Sequence, residues 1–188
     1  PEAKGRHDDP SDGHSGTGRE RPRAASSGRS QFISFRVAGE EFAIDIMAVR
    51  EIKGWSETTP LPNQPEYLLG ILNLRGTIVP IYDLKCRFGM GLTTATRMHV
   101  VIIVSVQERT VGLLVDAVSD ILTVAANDVR PIPDMDRANS FARFLSGIIC
   151  VKDEMVVLLS LEALFDRALA SGPPVSGPSD APPQILAA

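Results

Sequence analysis

Ile33, Phe35 and Val37 alternate with Ser34 and Arg36, the two-residue period of a strand that buries one face. Gly39, Glu40 and Glu41 supply a turn, and a second strand begins over Phe42 to Ile44. Residues 98 to 106 carry a stronger strand pattern. The polar Gln107, Glu108 and Arg109 form the next turn, and Thr110 to Val115 makes the returning strand. This spacing predicts hairpins.

The pattern then repeats. Adding 69 to residue numbers lays Ile33, Phe35 and Val37 on Ile102, Val104 and Val106, Ile44 on Leu113, Val49 on Val118, Ile52 on Ile121 and Pro62 on Pro131. After an eight-residue insertion the offset becomes 77. Gly70, Ile71 and Leu72 then fall on Gly147, Ile148 and Ile149, Val79 on Val156, Ile81 on Leu158, Leu84 on Leu161 and Phe88 on Phe165. Two gapless registers over successive elements indicate an internal duplication.

Each half reads as three strands, a proline-bearing loop, a strand, a tight turn, a strand and a short helix. The tight turns are Arg75–Gly76 and Lys152–Asp153, and Asp83 and Ser160 stand at N-cap positions ahead of Leu84 to Phe88 and Leu161 to Leu169. Five strands per half suit a small barrel, so the fold class is all-β with short helices. Halves of about 60 to 70 residues are marginal alone, because such small domains bury a limited share of their surface. They are expected to pack about a pseudo-twofold axis, sharing a third apolar layer, with a groove at their junction as the leading binding site.

Residues 1 to 30 contain no Val, Ile, Leu, Phe, Tyr or Trp and are expected to be a disordered tail. Residues 171 to 188, rich in Pro, Gly and Ser, form a second such tail. The folded body spans 31 to 170, with a first half of about 31 to 90 and a second of about 98 to 166, between which strands are open to exchange. A formal charge of −4, and Lys and Arg without an aromatic-interleaved stripe, argue against nucleic-acid binding. Cys86 and Cys150, the two cysteines, are expected to be buried thiols in a reducing compartment. No apolar run reaches membrane-spanning length and the polar N-terminal segment lacks a signal-peptide core, so a cytoplasmic protein is expected.

Catalytic signals are missing. His99 lies within the Met98 to Val106 strand pattern and reads as structural, while His7 and His14 fall in the first tail. No GxSxG, Walker A or GxGxxG motif occurs in its required context, and no His, Cys and carboxylate spacing suits a metal. Neither cofactor nor metal is expected. An enzyme or small-ligand binder using the inter-barrel groove stays open as a second reading, because catalytic groups can assemble from distant positions.

The stretch Gly70 to Leu84, GILNLRGTIVPIYDL, together with GEEFAIDIMAVREIKG at 39 to 54, VGLLVDAVSDIL at 111 to 122 and DVRPIP at 128 to 133, resembles the CheW family of chemotaxis coupling proteins. The likeness covers nearly all of residues 31 to 166. It implies two five-stranded SH3-like barrels, no catalytic activity, and two partners: the regulatory domain of a CheA-type histidine kinase and the cytoplasmic tip of a methyl-accepting chemoreceptor. It further implies a monomer when free, held at the inner face of the membrane once assembled into receptor arrays. The family pattern sets receptor-facing positions at Val49, Ile52 and Ile121, with Glu51 and Arg75 as polar neighbours that face one another. Gly70, Asn73 and Gly76 are its kinase-side positions, although the glycines also have a purely geometric reading. CheA's regulatory domain carries the same pattern and CheV adds a receiver domain, but neither kinase segments nor room for a receiver surround this body. A free-standing coupling protein is therefore expected, serving flagellar chemotaxis or another chemosensory pathway such as surface motility, development or second-messenger output.

Overall fold

The structure is a computed structural model that describes residues 28–133, 141–151 and 154–170. The Lys152–Asp153 turn and both expected tails lie outside the described residues, apart from Gly28 to Ser30. Among the described residues the chain forms ten strands: β1 (Arg29–Val37), β2 (Glu40–Asp45), β3 (Val49–Gly54), β4 (Leu68–Leu74), β5 (Thr77–Asp83), β6 (Val100–Val106), β7 (Arg109–Val115), β8 (Ala117–Ala125), β9 (Leu145–Val151) and β10 (Glu154–Leu159). Helices α1 (Leu84–Arg87) and α2 (Leu161–Ala170) close the two halves.

Turn chemistry explains the hairpins. Ala38 and Gly39 have φ of 53° and 86°, Arg75 and Gly76 52° and 90°, and Gln107 and Glu108 47° and 66°. Two successive positive φ values make the I′ turn, whose twist matches that of the strands it joins. The first turn is thus Ala38–Gly39, and Glu40 and Glu41 already pair with Val37 and Arg36. β6 begins at Val100, so His99 precedes the strand instead of lying inside it.

One five-stranded sheet has the order β8-β1-β2-β10-β9 and the other β3-β6-β7-β5-β4, so each contains strands from both halves. The pairings obey the duplication. Ile33 faces Ile44 as Ile102 faces Leu113, and Ile33 faces Ile121 as Ile102 faces Ile52. The parallel pair Leu158–Ala43 likewise mirrors Ile81–Gly112. Past β3 the chain returns to the outer edge of β4, where Thr59 and Ile71 exchange two hydrogen bonds of 2.9 Å. Arg130 and Ile148 do the same at 2.8 and 2.9 Å, closing each sheet into a small barrel.

These bridges correct one alignment. Thr59 and Arg130 are counterparts at an offset of 130 − 59 = 71, whereas Ile52 and Ile121 differ by 69. Pro60 therefore matches Pro131, and Pro62 matches Pro133. The cause is local: β8 runs on to Ala125, two residues past Thr123, the counterpart of the last β3 residue Gly54, and so takes up the two additional positions.

Among the described residues the core forms three apolar clusters. Leu72, Val79, Ile81, Val101, Ile103 and Leu114 fill one barrel, and Ala43, Val124, Ile149, Val156 and Leu158 the other. The largest lies between them, joining Ile33, Phe35, Phe42 and Ile44 of one sheet with Ile102, Val104, Val111 and Leu113 of the other and with Leu161, Leu164 and Phe165 of α2. This is the expected third layer. Burying each such large side chain contributes roughly 1.5–3 kcal/mol. Tyr82 meets Phe165 edge-on at 4.8 Å, and Phe88 meets Phe141 at 4.9 Å, so aromatic contacts join elements from the two halves.

The thiols depart from expectation: Cys86 is only half-buried and Cys150 is exposed. Cys150 pairs with Met155 across the β9–β10 hairpin and lies on its outer face, while the adjacent Ile149 fills the barrel.

Candidate interaction surface

β3 and β8 each carry one residue more than the strand they pair with. Val118 faces Phe35 and Ile121 faces Ile33, which leaves Ser119 and Asp120 opposite the single residue Ser34. Val49 faces Val104 and Glu51 faces Ile103, so Arg50 and Glu51 share the matching bulge at the equivalent place. A bulge raises local twist and re-aims the side chains beside it. Ile52 and Ile121, the residues that follow, are 45% and 52% exposed although their cross-strand neighbours Ile102 and Ile33 are buried in the shared layer. Each bulge thus pairs an acidic residue with an outward isoleucine on the outermost strand of its sheet.

Val49 is different. It is half-buried and packs against the shared layer, as does its counterpart Val118.

Arg75 stands at the tip of the β4–β5 hairpin with its Nη2 3.8 Å from Glu51 Oε1, so the two expected polar neighbours do face one another. Both side chains are open to water, and such a pair is worth about 0–1 kcal/mol. The pair shows that the hairpin tip lies beside the β3 bulge. Asn73 locks this tip by accepting a hydrogen bond from the Gly76 amide at 2.8 Å.

The two glycines of this hairpin differ in what they require. Gly70 has φ +136°, and a Cβ there would run into the Thr59 carbonyl oxygen of the barrel-closing bridge. Gly76 has φ +90° and open space around it. Gly147, the counterpart of Gly70, has no positive φ but is also crowded: a Cβ would lie 2.9 Å from Val129 Cγ1 and 3.3 Å from the Arg130 carbonyl oxygen. The geometric role of Gly70 is plain. On the outer face of the hairpin, Asn73 pairs with Ile78, which is 51% exposed, and the equivalent residue of the second half is Met155, also exposed. Sequence patterning missed both residues, although the 77-residue offset pairs them.

His99 is tied down locally. Its Nδ1 accepts from the Thr96 amide at 3.1 Å, and its Nε2 lies 3.9 Å from Asp116. Among the described residues no three His, Cys, Asp or Glu side chains gather as metal ligands, and no helix is long and apolar enough to cross a membrane. The surface offers outward isoleucines, an ion pair and a hairpin with a hydrogen-bonded tip on a paired-barrel frame.

Comparison with known proteins agrees with this frame. The CheW-like domain matches residues 31–169. A chemotaxis protein CheW of Rhizobium meliloti is 47% identical over 142 residues, 74% of this chain and 90% of that protein. The probable chemotaxis protein CheW of Rhizobium etli is 45% identical over 147 residues, 77% of this chain and 93% of its own. The crystal structure of the scaffolding protein TtCheW from Thermoanaerobacter tengcongensis superposes with a TM-score of 0.68 at 33% identity, covering 74% of this chain and 94% of that one. With two duplicated five-stranded barrels, a match across the folded body and relatives at this level of identity, the chain belongs to the CheW family.

Proposed function

We propose that this protein is a non-catalytic chemotaxis adaptor that binds the cytoplasmic tip of a chemoreceptor and the regulatory domain of a CheA-type kinase, joining them in a signalling array. Relatives that bear the names of a chemotaxis protein and a scaffolding protein support the adaptor role. The observation that carries the receptor surface is the pair of equivalent isoleucines, Ile52 and Ile121, turned outward at matching bulges beside a buried apolar layer. An amphipathic receptor helix has apolar side chains at i, i+3, i+4 and i+7 to set on such anchors. Val49 supports this surface from beneath, and Glu51 and Arg75 supply polar contacts at its edge.

The kinase contact is assigned to the β4–β5 hairpin. Gly70 and Gly76 shape its backbone, while Asn73 and the exposed Ile78 give it a mixed polar and apolar face. Receptor and kinase sites on adjacent elements, with Glu51 and Arg75 between them, suit a protein that holds both partners at once. This reading sets the protein in the cytoplasm, at the inner face of the membrane when arrayed.

The test is titration calorimetry with a receptor hairpin fragment and, separately, with a CheA regulatory domain. Ile52→Asp buries a charge in the receptor contact and is expected to weaken receptor binding by about 2 kcal/mol, roughly 30-fold, with kinase binding unchanged. Full receptor affinity in a folded Ile52→Asp protein would remove Ile52 from the contact. Absence of binding to either partner by the unaltered chain would remove the adaptor reading.

A further inference from the structure

The two bulges are equivalent in position and unequal in how they are held. In β3, the residue opposite the bulge is Ile103, which has no polar side-chain atom to offer. In β8 the equivalent residue is Ser34, which is 2% exposed. Its hydroxyl accepts a hydrogen bond from the Asp120 amide at 3.1 Å and donates one to the Asp120 carbonyl at 3.3 Å. A single buried side chain thus grips both backbone polar groups of one bulge residue. Asp120 Oδ1 in turn accepts from the Ile121 amide at 2.7 Å, so the grip passes directly to the residue that points outward.

A buried hydroxyl in an otherwise apolar sheet carries a desolvation cost of about 1–3 kcal/mol unless it is bonded, so it persists where its bonds hold something. At the equivalent place in the other barrel the chain uses an apolar residue, Ile103, which packs in the barrel interior. The polar choice at Ser34 coincides with the bulge that ends in Ile121.

We propose that Ser34 is a positioning residue that fixes the backbone of the β8 bulge and thereby the outward direction of Ile121 in the second half of the receptor surface. The proposal rests on the reading of Ile121 as a receptor contact. It implies an asymmetric surface: the β3 bulge is held through side chains, Arg50 to the Ser105 hydroxyl at 3.3 Å and Glu51 to Arg75 at 3.8 Å, whereas the β8 bulge is held at its backbone by a buried hydroxyl, so that Ile121 sets the partner's register.

The full chain carrying Ser34→Val tests this against Ser34→Thr. The two side chains have the same shape and differ by the hydroxyl alone, and Ser34→Ala gives a smaller third variant should the branched chains fail to fit. Backbone amide exchange, read residue by residue by NMR, and affinity for the receptor hairpin fragment are both measured. Ser34→Val is expected to speed exchange at Asp120 and Ile121 by about tenfold, leave Glu51 and Ile52 unchanged, and weaken receptor binding several-fold with kinase-domain binding intact. Ser34→Thr restores both. Unchanged exchange at Asp120 in Ser34→Val and Ser34→Ala overturns the proposal, as does faster exchange with unaltered receptor affinity while Ile52→Asp still disrupts binding. If Ile52→Asp and Ile121→Asp both bind receptor normally, the receptor-surface reading itself fails, a result distinct from failure of the clamp.

Discussion

Gly70 and Gly76 lie six residues apart in one hairpin and both have positive φ, yet the physical demands on them differ. An L-residue in the left-handed region costs about 1–2 kcal/mol when nothing obstructs its side chain, and Arg75 beside Gly76 already bears such a conformation. Gly76→Ala is therefore expected to lower stability by about 1 kcal/mol. At Gly70 the added methyl group meets the Thr59 backbone, whose amide and carbonyl both bond Ile71 to close the barrel. Relief requires breaking that bridge, so Gly70→Ala should cost about 3 kcal/mol or more. Urea denaturation of the two variants measures the difference. Equal losses would mean that the Thr59 segment yields easily and that the closing bridge adds little. Of the positions proposed for kinase contact, Gly70 is thus one at which a loss of partner binding in a mutant would first have to be separated from loss of fold.

At the scale of elements, the caps of α1 and α2 are equivalent in position and unequal in load. Asp83 is fully buried, accepts from the Cys86 amide at the helix start, and binds the amide and hydroxyl of Thr93 at 2.7 and 2.8 Å, which ties down the loop after α1. Ser160 accepts from the Ala163 amide at 3.2 Å as a simple cap. Ser160→Ala is expected to cost about 1 kcal/mol and Asp83→Ala about 3 kcal/mol, since the latter removes the shared acceptor of three part-buried donors; thermal unfolding would rank them. Tyr82, one residue before, has its phenol pushed above the usual tyrosine range by burial, aided by Tyr67 and opposed by Arg87 and Arg109. Above pH 10 the unfolded chain releases this proton before the folded one, so fewer protons are bound in the unfolded state and stability falls as pH rises. The contribution is intact below about pH 10 and disappears as pH climbs through the folded value. Tyr82→Phe should flatten that alkaline decline, and an identical slope in both proteins would assign it to other groups. The caps, strands and hairpins were legible in the residues because each follows a local rule. The bulges were not: an extra residue at the same place in both halves leaves the 69-residue offset intact, so self-comparison cannot detect it. Cys150 was misread for a related reason, because Ile148, Ile149, Cys150 and Val151 form an apolar run in which alternation is hidden until pairing with β10 assigns the faces.

For the molecule as a whole, the duplication predicts two units, but the strand exchange means that neither half of the chain contains a whole barrel. β1 and β2 complete the sheet of β8, β9 and β10, while β6 and β7 complete that of β3, β4 and β5. Cutting the chain between the halves, at about residue 97, leaves each fragment with strands whose neighbours are on the other fragment. Each also exposes its share of the central layer, including Phe35, Phe42, Val104 and Leu113. Residues 28–97 and 98–170 are therefore expected to be unfolded when prepared separately, with random-coil circular dichroism and collapsed amide dispersion. Mixed in equal amounts they should regain β structure, since every cross-strand partner is then present, and the paired fragments should melt in a concentration-dependent transition. The intact chain, in which the shared layer links both barrels, should unfold in one step with fluorescence of Trp55 and far-ultraviolet circular dichroism coinciding. A well-dispersed spectrum from either fragment alone, or two separate transitions in the intact chain, would mean that the barrels are independent units. In that case the proposed receptor contact on β3 and β8 could not be held rigid by the core beneath it, and an adaptor would lose the stiffness needed to transmit a change at one partner to the other. A single transition instead makes the central layer the mechanical link between Ile52, Ile121 and the β4–β5 hairpin.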